Sequence, residues 1–514
     1  MPTKESSITL ILSRPIRSAG EGSKLPGTAW QTVSVIRLKG AGLSRVSRLV
    51  SIIPVFCLLL LAPAAEAAAA EEYGDSTQIF LVLGIIALAA VLFLTEAIPI
   101  VATAMIVPSL LVLLRVVPYG QAFSGFADKW VLLFLFMFII GDSLFQTGVA
   151  DRIGATIVRF ASGGEASLVI HIMLVSAVMS AFLSNTGTAA CLLPIIMAIS
   201  RKSGVSLKKL LIPMAFATSL GGTLTLIGTP PNGIVQSTYE SMGGKTFGFF
   251  EYSKVGIFVF VGGMLFLSTF GRRLLSGRER SEKEKEAPAA TCPEKETRPD
   301  KDKAPIAITV FLLVVFFMAM DPVWQRLFPP LAGYFSSIPL TAYAVLGVVV
   351  LIATKVMTAE KAFRAVNWTT IFLFAGMLSL KPALINTGAA DFIANGMIGA
   401  TESLHLNPNY AVLAALVLVS VLVTNFMSNT ATAALLAPVA METGILLGCD
   451  PAPLLMGVAL ACSACFLTPV ATPPNTLVLG PGGYSFRDYL RAGWLLQLIV
   501  VVILVLLVPV FFPF

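Results

Sequence analysis

The stretch FLSNTGTAACLLP (Phe182–Pro194) interrupts an apolar run with Ser184, Asn185, Thr186 and Thr188, polar but uncharged groups where lipid or protein core is expected. The pattern returns as SNTATAALLAPV (Ser428–Val439), a spacing of 244 from Ser184 to Ser428. A second motif, GTPPN at Gly228, returns as ATPPN at Ala471 with a spacing of 243. A third pair precedes both: DKWVLLFLFMF around Trp130 and VNWTTIFLFAG around Trp368, 238 apart. Three matches in one order, at nearly one spacing, identify an internal repeat.

The surroundings set the medium. The 514 residues are 56% hydrophobic and only 12% charged, with mean hydropathy +0.86, against the roughly 25% charged content of soluble chains. Apolar runs long enough to cross a bilayer fall near 49–66, 77–96, 97–116, 130–150, 168–200, 210–236, 254–271, 304–321, 339–354, 368–390, 410–447, 454–480 and 492–513. The segments 168–200 and 410–447 are too long for single crossings, and each holds an SNT near its middle. That suits a re-entrant hairpin, since non-helical backbone survives at membrane depth where protein or a watery cavity surrounds it. The expected fold class is therefore an all-α polytopic membrane protein with about 11 transmembrane helices plus two re-entrant hairpins.

The formal charge of +7 does not mark a nucleic-acid binder, because Lys and Arg sit in loops and at the N-terminus rather than on a basic-aromatic face. With the N-terminus inside, cytoplasmic loops receive Arg152, Arg159, Arg201, Lys202, Lys208, Lys209, the run 272–303, Lys355, Lys361, Arg364, Arg487 and Arg491. Outer loops receive Lys129, Lys245, Lys254 and Arg326, while 66–76 and 391–409 carry only acids. This asymmetry follows the positive-inside rule and places the C-terminus outside. Residues 1–44 read as a disordered basic arm and 272–303 as a solvated cytoplasmic linker. The span 49–66 reads either as a retained helix or as a secretory signal, with retention the expectation. Five crossings separate equivalent points of the two copies, so the repeat is expected to be inverted, an arrangement by which many secondary transporters place one site near the midplane.

The motifs suit ions without being charged themselves. Ser in SNT can cap the helix that follows, and Asn and Thr offer both donors and acceptors. A helix N-terminus adds free N–H groups and the positive end of its dipole, so two facing tips can hold an anion between them. In GTPPN and ATPPN, two prolines remove backbone donors and leave carbonyls in need of a partner, for which a sodium ion serves. No Lys, Arg, Asp or Glu lies inside any of the four motifs. Cations entering with a multivalent anion would supply the missing positive charge in low dielectric, which favours co-transport. Glu96 and Asp142, acids in apolar spans but outside the motifs, are secondary candidates for a proton-coupled design.

Other chemistries fail on context. GDSL (Gly141–Leu144) resembles a serine-hydrolase block but lies inside a crossing, with no Asp-x-x-His near the C-terminus to complete a triad. Cys462 and Cys465 form a lone CxxC, the six cysteines imply no disulfide framework, and His171 and His405 are isolated. Packing is the expected role for these.

The paired SNT hairpins, GTPPN with ATPPN, and EAIPIVATA (Glu96–Ala104) resemble the divalent anion:sodium symporter (DASS) family over roughly residues 45–513. The resemblance implies a retained helix at 49–66 and a homodimer in an elevator mechanism. Fixed scaffold domains would be 45–167 and 304–409, and mobile transport domains 168–271 and 410–514. It implies one Na+ site at Ser180, Ser184, Asn185 and the Gly228 carbonyl. A second would use Thr424, the Met427 carbonyl, Asn429 and the Ala471 carbonyl. Substrate carboxylates would meet Asn185, Thr186, Asn429 and Thr430, with Thr229 and Thr472 close by. The intact Asn pair favours sodium coupling over exchange, and two tips suit two carboxylates, so C4-dicarboxylates (succinate, malate, fumarate) are the expected substrates. Citrate and sulfate transport or anion exchange within the family, and Na+/H+ or arsenite transport in the wider superfamily, are the alternatives. The expected partners are a small dianion, the lipid bilayer of a bacterial inner membrane and a second copy of the chain. Na+ is the coupling ion, and neither an organic cofactor nor nucleic acid is expected.

Overall fold

A computed structural model describes residues 74–155, 164–241, 243–244, 246–275, 301–320, 338–403 and 407–514. The arm 1–44, the span 49–66, residues 276–300 of the linker, Cys57, Arg159, Lys245, Cys292, Arg326 and His405 lie outside the described residues. The principal helices are α1 (Gly74–Thr95), α2 (Ile100–Leu113), α3 (Lys129–Gln146), α4 (Gly164–Ser180), α5 (Asn185–Ser203), α6 (Leu211–Gly222), α7 (Pro230–Ser241), α8 (Ser253–Phe266) and α9 (Ala304–Ala319). They continue with α10 (Leu340–Ala353), α11 (Trp368–Met377), α12 (Leu380–Asn386), α13 (Ala389–Ser403), α14 (Pro408–Thr424), α15 (Asn429–Leu446), α16 (Ala452–Ala461), α17 (Pro473–Leu479) and α18 (Phe486–Phe511). No strand occurs among the described residues, and these helices all fall in the unit Glu66–Phe514.

Helix lengths reflect the motifs. Five helical stretches among the described residues are by length and composition able to cross a membrane: Lys129–Gln146, Ser253–Gly271, Lys301–Ala319, Trp368–Asn386 and Phe486–Phe511. The SNT and PPN segments instead break long apolar runs into pairs, α4/α5, α6/α7, α14/α15 and α16/α17. A 12-residue helix such as α6 spans only about 18 Å, so its end falls within the protein and needs internal partners for its carbonyls.

Packing interlocks the two copies. Hairpin arm α4 lies on α6 as α14 lies on α16, and α8 flanks α6 as α18 flanks α16. Across the copies, α7 packs against α15 and α16, while α17 packs against α5 and α6. Arg115 and Lys355, each just past the end of an apolar helix, both adopt φ 57.

Bonds between distant loops fall into two groups. In the first, Lys209 pairs with Glu165 at 2.9 Å, Lys208 approaches Asp488 at 3.9 Å, and Lys303 donates to the Lys355 carbonyl at 2.8 Å. Tyr484 donates to the Lys208 carbonyl at 2.7 Å and accepts the Ile212 N–H at 3.0 Å. Burial holds its hydroxyl well above the usual tyrosine range, so it remains a donor. In the second, Lys129 pairs with Glu240, Ser237 donates to Asp128 at 2.9 Å, and Tyr239 donates to Asp450 at 3.0 Å. Each group joins loops that the Lys and Arg distribution assigns to one side.

Several expectations need correction. The helix leading into the first SNT starts at Gly164 and that leading into the second at Pro408, a few residues ahead of the apolar runs 168–200 and 410–447. The acidic segment 391–409 is helical through Ser403, and short helices Val149–Ala155 and Ala359–Ala365 occupy other expected loops. Such helices are too short or too mixed to register as apolar runs. The linker expected from 272 retains helix to Leu274, and helical turn resumes at Lys301–Lys303. Glu96 is not inside a span: it is exposed at φ 47 in the connection from α1 to α2. The prolines of the PPN motifs, as their residue type leads one to expect, follow a break and open α7 and α17, where a missing N–H costs nothing.

Candidate functional site

Both hairpin tips are built alike. Ser184 leaves helical geometry at φ −61, ψ 138, and its Oγ accepts the Gly187 N–H at 3.1 Å. Ser428, at φ −62, ψ 143, caps α15 by accepting from Ala431 N–H at 3.2 Å. Each tip therefore ends as a capped helix start with Asn and Thr in its first two positions. The first is more open, since Asn185 and Thr186 are half-buried while Asn429 and Thr430 are 9% and 7% exposed.

Behind each tip lies a group of oxygens short of hydrogen. Ser180 Oγ is 2.6 Å from Asn185 Oδ1 and 2.8 Å from the Thr218 carbonyl oxygen. Thr424 Oγ1 is 2.8 Å from Asn429 Oδ1 and 2.6 Å from the Cys462 carbonyl oxygen. A hydroxyl carries one hydrogen, so it can satisfy only one of its two neighbours at a time. A cation among three such oxygens balances all of them, and oxygen ligands suit a hard ion.

Beyond the tips, each helix break is closed by the same bonds. Asn232 Nδ2 donates to the carbonyls of Gly222 at 3.2 Å and Thr225 at 2.8 Å. Asn475 Nδ2 donates to those of Cys465 at 3.0 Å and Thr468 at 3.1 Å. Tyr252 and Tyr489 donate to the carbonyls of Asn232 and Asn475 at 2.9 and 2.6 Å. Thr225 and Thr468 fasten the breaks to the hairpins through the carbonyls of Ala181 and Asn425. The carbonyls freed by the breaks are thus partly satisfied by asparagines that the sequence reading left out of the site, although both close a repeated TPPN.

The expected residues assemble unevenly. Ser180 and Asn185 are joined directly, and a β-carbon built on Gly222 would lie 3.3 Å from Asn185 Oδ1 and 3.2 Å from the Gly228 carbonyl, so these two oxygens face one point. Ser184 is engaged as a cap. Thr424 and Asn429 are joined in the second copy, while the Met427 N–H bonds Val423 and the Ala471 N–H bonds the Thr468 hydroxyl. Thr229 and Thr472 are 2% and 6% exposed. Asp142 is held by Gln146 on its own helix. Ser143 of GDSL is buried and donates to Ile140 O at 2.6 Å, and His171 bonds the Ser167 carbonyl at 2.6 Å. Lys381, partly buried at the start of α12, is a charged residue that counting apolar runs passes over.

A family model described as a citrate transporter matches residues 90–449. The chain belongs to the citrate transporter family. Citrate transporter membership makes it an integral membrane transporter of a small molecule and not an enzyme, in agreement with the DASS resemblance of its motifs. An uncharacterized transporter of Escherichia coli, YfbS, is 25% identical over 85% of this chain and 100% of its own length. An uncharacterized transporter of Haemophilus influenzae is 29% identical over 82% and 89%. The sodium-dependent dicarboxylate transporter SdcS of Staphylococcus aureus is 25% identical over 84% and 86%. The Alcanivorax borkumensis YdaH transporter shares the fold at TM-score 0.53 and 16% identity, over 76% of this chain and 86% of that one.

Proposed function

We propose that this chain is a Na+-coupled symporter of C4-dicarboxylates such as succinate, malate and fumarate. The observation that carries the reading is the oxygen group at each tip, Ser180–Asn185–Thr218 and Thr424–Asn429–Cys462, where one hydroxyl hydrogen serves two acceptors beside a capped helix N-terminus. Sodium is held at Ser180, Ser184, Asn185 and Gly228 in the first copy and at Thr424, Met427, Asn429 and Ala471 in the second. The dianion meets Asn185, Thr186, Asn429 and Thr430, with Thr229 and Thr472 behind them. The ions screen the dianion, which meets no fixed positive charge in these motifs, and so coupling follows from electrostatics. The name of the SdcS relative, a sodium-dependent dicarboxylate transporter, supports the same assignment.

In this reading the copies are inverted, the first hairpin opens to the cytoplasm and the second outward, and the C-terminus lies outside. The segments 168–271 and 410–514 move as transport domains against scaffolds 45–167 and 304–409 in a homodimer of a bacterial inner membrane. A tricarboxylate is the second reading, favoured by the description of the matching family. Thermal unfolding of the detergent-purified protein tests the order of binding. Sodium alone raises the midpoint relative to potassium, and succinate raises it further only with sodium present, because ligands of the native state stabilise by mass action. Stabilisation by succinate in potassium alone contradicts sodium-dependent binding, and a larger effect of citrate selects the second reading.

A further inference from the structure

The two breaks share the bonds made by their asparagines, tyrosines and threonines, but the positions of Gly222 and Gly228 are filled differently in the second copy. The Asn232 bond to Gly222 and the Asn475 bond to Cys465 show that Cys465 stands where Gly222 stands in the first copy. A β-carbon on Gly222 would point at the tip, 3.3 Å from Asn185 Oδ1 and 3.2 Å from the Gly228 carbonyl. Gly222 and Gly228 also touch through their backbones, a β-carbon on Gly228 falling 2.6 Å from the Gly222 oxygen. In the second copy the pair is Cys465 and Ala471, and both carry the β-carbon that the glycines lack. There the fully buried Cys465 aims Sγ at the tip asparagine, 3.7 Å from Asn429 Nδ2, with the Ser219 and Thr472 hydroxyls alongside.

We propose that Cys465 occupies the space that Gly222 leaves open for the ion, making the two sodium sites unequal. The first copy surrounds its ion with oxygen alone. In the second copy a thiol that accepts from the Asn429 amide stands beside the oxygens, a soft and weak acceptor that suits sodium poorly. The site at Thr424 and Asn429 is consequently the weaker one, and Cys465 sets the sodium concentration at which it fills. The inference rests on the sodium-coupled reading, and it specifies which site limits coupling.

The test is the sodium dependence of succinate uptake in proteoliposomes for the parent, Cys465→Gly, Cys465→Ser and Gly222→Ala, with thermal unfolding reporting integrity. Cys465→Ser, close in size, guards against a glycine variant that fails to fold. Relief of one poor ligand contact lowers the half-saturating sodium concentration by about tenfold in Cys465→Gly and Cys465→Ser. The Hill coefficient rises toward about 2 as the two sites become alike. Gly222→Ala shifts the half-saturating concentration upward. Unchanged sodium curves in both Cys465 variants, with a sodium-driven parent, overturn the inference alone and leave Cys465 a packing residue. A parent whose uptake ignores sodium overturns the transport reading and this inference together.

Discussion

Asn185→Ala and Asn429→Ala each reduce sodium-driven uptake by about a hundredfold or more while the purified proteins remain folded. Each asparagine oxygen stands at the junction of the ion group and the tip, so its removal weakens both the cation and the anion. Hydrogen bonds to charged groups contribute roughly 1.5–3 kcal/mol each, and about 2.7 kcal/mol is a hundredfold. The fold tolerates the loss for a specific reason. Ser180 keeps the Thr218 carbonyl as its acceptor and Thr424 keeps that of Cys462, so no buried group loses its last partner. Uptake of radiolabelled succinate, normalised to folded protein, checks this. Normal transport by both variants would return the SNT motifs to helix packing.

Asn232→Ala and Asn475→Ala should behave in the opposite way. Each side chain is fully buried and its amide nitrogen serves two carbonyls at a helix break. Stranding a buried polar group costs about 1–3 kcal/mol, so the loss of two carbonyl partners costs roughly 2–6 kcal/mol at Asn475, and less at Asn232, where the Thr225 carbonyl keeps the Gly228 N–H; either is a large share of the roughly 5–15 kcal/mol by which a typical domain is stable. The expected outcome is a marked fall in thermal midpoint and in yield of monodisperse protein. Asn232→Asp and Asn475→Asp share the defect, because they keep the shape but lose the donor. Midpoints unchanged in all four variants would contradict the stitching role.

The contrast between these asparagine pairs shows where sequence reading reached its limit. SNT stood out because uncharged polar residues inside apolar runs need a reason, and the Ser184 and Ser428 caps follow directly from residue type. The grouping of Ser180 with Asn185 and of Thr424 with Asn429 followed from the family resemblance, since Ser180 and Thr424 lie outside the tripeptides. Asn232 and Asn475 were visible in every reading of TPPN, but their partners are carbonyls, which a sequence does not distinguish. The breaks just ahead of the prolines follow from residue type, since a proline pushes the residue before it out of helical geometry. Glu96 looked intramembrane because apolar residues flank it, whereas its φ 47 belongs to a turn. The thiol at Cys465 drew attention as half of a CxxC, although its neighbours are the tip asparagine and hydroxyls.

The central claim, that uncharged tips bind a dianion because sodium enters with it, is tested most directly by flux. Proteoliposomes loaded without sodium should accumulate radiolabelled succinate above equilibrium when an inward sodium gradient is imposed, and should not do so with potassium or proton gradients of the same size. Accumulation that ignores the sodium gradient, or no sodium-stimulated uptake of succinate, malate, fumarate, citrate or sulfate, would contradict it.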